Sequence, residues 1–337
     1  MHASPTRLPR DTPASRALDA LLETTVVGSF SRIGCLARRA AERWDDPPRT
    51  DGKVMVVTGA SSGIGRAVAL SLGQLGAHVW VLGRDRVRTD AVAEAIRSGG
   101  GQAHSALVDV ADGASIEAFA ERYCSQHDRL DALVHCAGAL LGTHTVSADG
   151  SEMTVATHVL GPYRLTWHLA PLLQRAGTSA IVTVSSGGMY TERFDLGRLE
   201  MTPDHYNGVR AYARAKRAQV VLAHEWYRRW SSRGVASYAM HPGWVKTPGL
   251  ASGLPFFRLG PLLRKPEEGA DTAIWLAAGA GRPQAEEGFW HDRHLRREHY
   301  LPWTRPQGDP EAQGSALWNW CATRTGLGSG PLFRADA

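Results

Sequence analysis

The string "TGASSGIG", residues 58–65, follows the apolar run "KVMVV" and leads into the amphipathic run "GRAVALSLGQLGA". It therefore places Gly59, Gly63 and Gly65 in a turn between a strand and a helix. Glycines there let the backbone approach a pyrophosphate, whose charge then rests on the unpaired N–H groups of the helix start. A bare glycine triplet also occurs in plain tight turns, so its weight comes from what surrounds it. From Lys53 onward, short apolar runs alternate with longer amphipathic ones. Strands are predicted at "KVMVVTG", "HVWVLGR", "QAHSALVDV", "DALVHCAGAL", "SAIVTVSSG", "VASYAMHPG" and "EGFWHD". Helices are predicted between them, including one through Tyr212 to about Trp230. Such alternation implies parallel pairing through right-handed crossovers, hence an α/β, doubly wound parallel sheet in a single domain. Sheets of this kind bind ligands at the carboxyl ends of their strands.

Composition narrows the function classes. Hydrophobic residues make up 43% and charged residues 21% of 337, the balance of a soluble globular chain. The net charge of +5 comes from dispersed arginines without a lysine-rich tail, which argues against nucleic acid and leaves a small anionic ligand as the fitting partner. Cys35, Cys124, Cys136 and Cys321 are scattered, so neither a disulfide framework nor a metal site is expected, and the chain reads as cytoplasmic. No apolar run reaches the length of a membrane span. Glu23 interrupts the most apolar N-terminal stretch and Arg32, Arg38 and Arg39 follow it, unlike a secretion signal.

The expected organisation is a mobile tail over 1–15, a helical extension over 16–50, the main domain over 51–300 and a C-terminal strap over 301–337. Residues 16–44 read as one helix with an apolar side and a basic end. Their composition suits docking on the domain, which is the preferred reading, and also peripheral contact with a membrane.

After the second strand comes "LGRD". NAD-binding proteins usually place an acidic residue there for the ribose hydroxyls. Here Gly83 and Arg84 stand in that place, with Arg66 just past the glycine turn. Two guanidiniums suit a 2′-phosphate, which favours NADP(H). In the other reading Arg84 faces solvent and Asp85 takes the NAD(H) role.

From about Lys53 to Arg293 the chain resembles the short-chain dehydrogenase/reductase family. The resemblance rests on "TGASSGIG", on Asp109 in "VDV", on "CAG" after the fourth strand, on Tyr212 and Lys216 in "AYARAK", and on "HPGWVKT". It implies a Rossmann-type fold and an oxidoreductase. It also implies cofactor contacts at Gly59, Ser61, Ser62, Gly63, Ile64, Gly65, Arg84, Asp109, Val110, Ala137, Gly138, Tyr212, Lys216, Pro242, Gly243, Val245 and Thr247. By the same resemblance Tyr212 is the general acid/base, Lys216 stabilises its phenolate and holds the nicotinamide ribose, and Ser186 bonds the substrate oxygen. A free tyrosine has a pKa of roughly 10, and a cation one helical turn away lowers it. Ser185 reads as structural, and Tyr190 lacks a lysine one turn on.

Two positions depart from the family. Cys136 replaces the asparagine of the Asn-Ala-Gly turn, and a thiol can be buried there quietly. His158, before Gly161, replaces the asparagine of the fourth catalytic position. An imidazole there either carries a proton relay beside Lys216, giving an acidic limb in the rate profile, or simply fills space and bonds a carbonyl. Residues 188–210 are expected to form a lid over the substrate. Residues 252–263, with Phe256 and Phe257, are expected to form a second wall for a lipophilic small molecule. A homo-oligomer is compatible with all of this. The rival class is a nucleotide-binding scaffold or redox sensor with little turnover, suggested by the two asparagine losses and opposed by the intact Ser186, Tyr212 and Lys216.

Overall fold

The structure, a computed structural model, describes residues 12–247, 260–279 and 288–328. Seven strands are parallel: β1 (Val54–Thr58), β2 (His78–Gly83), β3 (Gln102–Leu107), β4 (Ala132–His135), β5 (Ser179–Val184), β6 (Val235–Met240) and β7 (Phe289–His291). An antiparallel β8 (His294–Arg296) adds to the edge, in the order β3-β2-β1-β4-β5-β6-β7-β8. The expected doubly wound sheet is therefore present. The strand order reverses between β1 and β4, which opens a crevice at their carboxyl ends.

The central strands are buried on both faces, as apolar runs without polar alternation require. Met55 and Val57 of β1 face one layer, with α4 (Gly63–Gln74), α5 (Arg86–Ser98) and α10 (Pro266–Ala277). Val56 faces the other, with α6 (Gly113–Gln126), α8 (Gly161–Arg175) and α9 (Gly208–Trp230). The strap contributes α11 (Pro310–Thr325), which buries Leu317, Trp318 and Cys321 in that second layer, while Arg229 lies 4.2 Å over the Trp318 ring. Among the described residues no helix is long and apolar enough to cross a membrane.

The extension departs from the single helix expected. It forms α1 (Pro13–Glu23), α2 (Val26–Phe30) and α3 (Arg32–Glu42), and α1 begins inside the stretch expected as a tail. Polar caps make the breaks. Thr12 caps α1, and the Thr25 hydroxyl accepts from the Gly28 N–H at 2.9 Å to start α2. Ser31 is extended between α2 and α3, so the chain turns there.

These helices dock on the domain, and charge fixes the contact. Arg38, 0% exposed, reaches Asp19 (2.6 Å), Glu23 (2.7 Å) and Asp292 (2.8 Å). Arg264 bonds the same Asp292 at 2.5 Å and donates to the carbonyls of Ser29 (2.8 Å) and Phe30 (3.0 Å). Burial alone would raise the Asp292 carboxyl, but Arg264, His291 and Arg38 outweigh it and hold its pKa well below the ordinary carboxylate value. With the folded value depressed, its contribution is present above about pH 3.9 and is lost as pH falls further.

Asp292→Asn keeps the shape and tolerates the left-handed backbone at this position (φ 50°) while taking from buried Arg264 its carboxylate partner and from Arg38 one of three. The expected loss is about 3–5 kcal/mol in denaturant unfolding at pH 7. A loss below about 1 kcal/mol, within the range of an exposed pair, would show that the cluster does not hold the extension.

Candidate active site

The crevice is a cleft of about 460 Å³ that runs from the glycine turn to the end of β5. At one end, Gly59 (φ 64°) and Gly63 (φ 53°) adopt left-handed backbone. A Cβ on Gly59 would also lie 2.6 Å from the Ala137 Cα, so the glycine turn and the turn after β4 are in backbone contact. That close approach aims the start of α4 into the cleft. Ser61, Ser62, Ile64 and Gly65 line it there; Asp109, Val110, Ala137 and Gly138 form the adjoining wall.

At the other end, β5 and α9 bring the chemical groups together. Ser186, Tyr212 and Lys216 all line the cleft. Burial pushes the Tyr212 phenol up to about 12, and a hydrogen bond with Ser186 pulls it back. Lys216 is 4% exposed, and its Nζ donates to the Val184 carbonyl (2.9 Å) and to Gln219 Oε1 (3.0 Å). It sits 5.4 Å from the Tyr212 ring centre. Burial lowers its pKa to about 7, although the neighbouring Cys136 opposes the shift. Ser185 is structural here, donating to the Lys216 carbonyl at 2.8 Å. Tyr190 lies outside the cleft, packed on Phe30 and Phe289 and donating to the Arg297 carbonyl at 3.0 Å.

The two departures from the family find physical substitutes. The Thr58 hydroxyl accepts from the N–H groups of Cys136 (3.1 Å) and Ala137 (3.2 Å), holding the turn without an asparagine. Burial raises the Cys136 thiol to about 12, with Lys216 acting against that, so it stays protonated. His158 lies in a π-helical turn, Ala156–Leu160, between α7 (Met153–Val155) and α8, a distortion common at functional sites. It is 0% exposed, its Nε2 is 2.9 Å from the Ala139 carbonyl, and its ring meets Tyr212 edge-on at 5.3 Å. Burial first, and then the Lys216 charge, lower its pKa to about 3. It does not line the cleft. An acidic limb near neutrality is therefore not expected from His158; the group with a value near 7 is Lys216.

Other expectations need correction. Val245 is 2% exposed, packs its side chain toward Gly269 of α10 and does not line the cleft, whereas Pro242, Gly243 and Thr247 do. Arg66 is exposed and absent from the cleft wall; the second guanidinium beside Arg84 is Arg88. Residues 188–210 are not an open lid. They form short turns anchored through Phe194, Leu199 and Met201, and none of them lines the cleft. Of the expected second wall, residues 252–259, with Phe256 and Phe257, lie outside the described residues.

Sequence reading missed Leu140, Leu141, Met153 and Thr157, which line the cleft. It also missed Phe30, whose ring blocks any Cβ at Gly187 and whose carbonyl accepts from the Trp244 N–H at 2.8 Å. A lone phenylalanine in an N-terminal helix carries no local signal of such a contact.

The short chain dehydrogenase family pattern matches residues 53–253. Dehydrogenase/reductase SDR family member 12 of Bos taurus is 37% identical over 264 residues, covering 77% of this chain and 82% of the relative. Retinol dehydrogenase 11 of Homo sapiens is 31% identical over 283 residues, covering 82% of this chain and 86% of the relative. A solved structure from Beutenbergia cavernae, described as an NAD(P)-dependent gluconate 5-dehydrogenase with NADP bound at low occupancy, is 29% identical. It superposes with a TM-score of 0.57, covering 68% of this chain and 91% of that one. The chain belongs to the short-chain dehydrogenase/reductase family and is an oxidoreductase with the family's NAD(P)-binding fold.

The residues present fit such a dinucleotide. The left-handed glycines and the start of α4 offer backbone N–H groups at one end, and Lys216 offers an ammonium whose partners are two neutral acceptors at the other. Because Lys216 is charged below about pH 7 and neutral above it, dinucleotide binding by the free protein should weaken as pH rises through about 7. The loss of one charge-assisted hydrogen bond corresponds to roughly tenfold or more. Fluorescence titration with NADH, whose own charge is constant between pH 5.5 and about 9, reads this, and Lys216→Met should give weaker, pH-independent binding. A parent profile as flat as the variant's would remove Lys216 from the cofactor site.

Proposed function

We propose that this protein moves hydride between NADP(H) and a carbonyl or secondary alcohol on an apolar small molecule. The observation that carries this reading is the convergence of Ser186, Tyr212 and Lys216 at the far end of the cleft that starts at the glycine turn. The bound dinucleotide would supply or accept the hydride. Ser186 would orient the substrate oxygen by hydrogen bonding. Tyr212, held protonated by burial, would give its proton to that oxygen during reduction and take it back during oxidation. Charged Lys216 would stabilise the transient phenolate, and its bonds to Val184 and Gln219 keep it within reach of the ring.

Three features support NADP(H) over NAD(H). Arg84 and Arg88 both line the adenosine end of the cleft. Arg84 is exposed, and its nearest carboxylate, Asp109, is 3.7 Å away, too far to hold it fixed. Asp85 is engaged already: it caps α5 by accepting from the Arg88 N–H at 3.0 Å and pairs with that guanidinium at 3.0 Å. An apolar substrate is supported by Leu140, Leu141 and Met153 at the chemical end, and the retinol dehydrogenase relative is named for a lipophilic alcohol.

Tyr212→Phe should reduce turnover by about 10²–10⁴-fold, the usual worth of a positioned proton donor, with NADPH binding nearly unchanged. Tyr190→Phe should leave turnover near the parent's and cost about 1 kcal/mol of stability, through its lost bond to the Arg297 carbonyl. NADPH oxidation against a panel of apolar aldehydes and ketones reads both. Equal losses in the two variants, or no turnover by the parent with any carbonyl, would leave the scaffold reading instead.

NADPH should bind more tightly than NADH, and Arg84→Ala should remove most of that preference. Equal dissociation constants for the two cofactors in the parent protein would overturn the NADP(H) assignment.

A further inference from the structure

We propose that the outward face of α1–α3 is a docking surface for an anionic lipid bilayer. The three helices pack on one another, and their inner face is committed to the domain. Within residues 12–44 the acids are Asp19, Glu23 and Glu42, and each is turned inward into an ion pair, with Arg38 and Arg296, with Arg38, and with His294 respectively. What remains outside is apolar and cationic. Leu21 is 67% exposed, Val26 59%, Val27 51%, Ile33 59% and Leu36 45%. These are five of the twelve large hydrophobic side chains that stand exposed among the described residues, in about a tenth of the chain, so they are not the usual scattered surface residues.

The helical period separates the faces. On α3, Cys35, Arg38 and Glu42 point into the domain, while Ile33, Leu36 and Ala40 recur at spacings of three and four on the other side. Arg39 and Arg43 are exposed beside that outer stripe. A short apolar ridge rimmed by arginines, with its acids withdrawn, has the chemistry of a helix that rests in the headgroup layer of an acidic membrane. Charge decides against a second copy of the chain as occupant. A two-fold contact would bring this face onto itself and set arginines against arginines; the exposed acids next in sequence, Asp45 and Asp46, lie beyond the end of α3. An anionic bilayer answers them and takes the apolar ridge together.

The test is co-sedimentation of the full chain with vesicles of phosphatidylcholine alone and with 30% phosphatidylglycerol, at low and at raised salt. The expected result is binding to the acidic vesicles at least tenfold tighter than to the neutral ones, weakened by salt. Val27→Asp/Ile33→Asp places charge on the ridge at first-turn positions of α2 and α3, where an acid is compatible with the helix. It should abolish binding while leaving NADPH binding at the parent value, which shows that the fold is intact. Arg39→Glu/Arg43→Glu should remove the preference for acidic vesicles. A parent protein that stays in the supernatant with acidic vesicles would overturn the proposal, as would a Val27→Asp/Ile33→Asp protein that sediments like the parent. Light scattering that shows a dimer dissociated by the same pair of substitutions, without vesicle binding, would assign the face to a second copy instead.

Discussion

A single buried carboxylate, Asp292, holds two guanidiniums that come from opposite ends of the chain. Arg38 belongs to the N-terminal extension, and Arg264 precedes α10. Neither guanidinium can be left without a partner at this burial, so the extension cannot detach without exposing or stranding charge. Arg264 then spends its remaining donors on the carbonyls of Ser29, Phe30 and Ser31, which fixes the backbone between α2 and α3. From there the constraint reaches the site. The Phe30 carbonyl takes the Trp244 N–H, and the Phe30 ring lies against Gly187, His241 and Tyr190. The loops carrying Ser186 and Pro242–Gly243 are thus backed by a segment that precedes the family's matched region. The extension is part of the site's supporting wall.

What could be read from the sequence follows from which features are local. The glycine turn, the alternation of strands and helices, and the one-turn spacing of Tyr212 and Lys216 each depend on residues close together in the chain. Each appears where it was expected, with Ser186, Tyr212 and Lys216 on one cleft. The antiparallel β8 was not legible, because three residues after a tight turn carry no pattern of their own. The division of the extension into three helices is not legible in the sequence, because the Thr25 cap and the extended backbone at Ser31 are seen only in the structure. Val245 illustrates a different limit. Its place in "HPGWVKT" fixes its backbone, but the direction of its side chain depends on α10, whose glycine at 269 leaves room for it. Arg88 was not legible as a partner of Arg84, because only the orientation of α4 and α5 puts Arg88 on the cleft wall and leaves Arg66 off it.

The losses at Cys136 and His158 show how a site keeps its geometry while changing its residues. Both affected turns need their N–H groups satisfied, and the chain supplies acceptors from elsewhere. Thr58 serves Cys136 and Ala137, and His158 Nε2 lies within bonding distance of both polar groups of Ala139. The His158 ring also fills the space above Gly138, where a Cβ would meet its Cε1 at 2.6 Å. Burial lowers its pKa to about 3, so near neutral pH it adds no second positive charge beside Lys216. That neutrality makes it a tolerable neighbour for the lysine, and it explains why a titratable ring can stand where the family places an amide.

Lys216 is a buried cation on the cleft wall. An ammonium this buried usually has a carboxylate beside it, because an isolated charge is costly to desolvate. Among the described residues lining the cleft, the carboxylates are Asp85 and Asp109, and both pair with arginines, Arg88 and Arg84. The acceptors at Lys216 itself are two neutral oxygens, from Val184 and Gln219. Burial without a carboxylate partner lowers its pKa to about 7. An ammonium has three donors, and two of them meet these oxygens. Lys216 lines the same cleft as the Tyr212 phenol, whose own pKa is raised by burial. Burial therefore displaces each group toward its neutral form. A ligand oxygen beside Lys216 would favour the ammonium, and the ammonium would favour the phenolate, so in the proposed reaction cofactor binding and proton exchange would be coupled electrostatically.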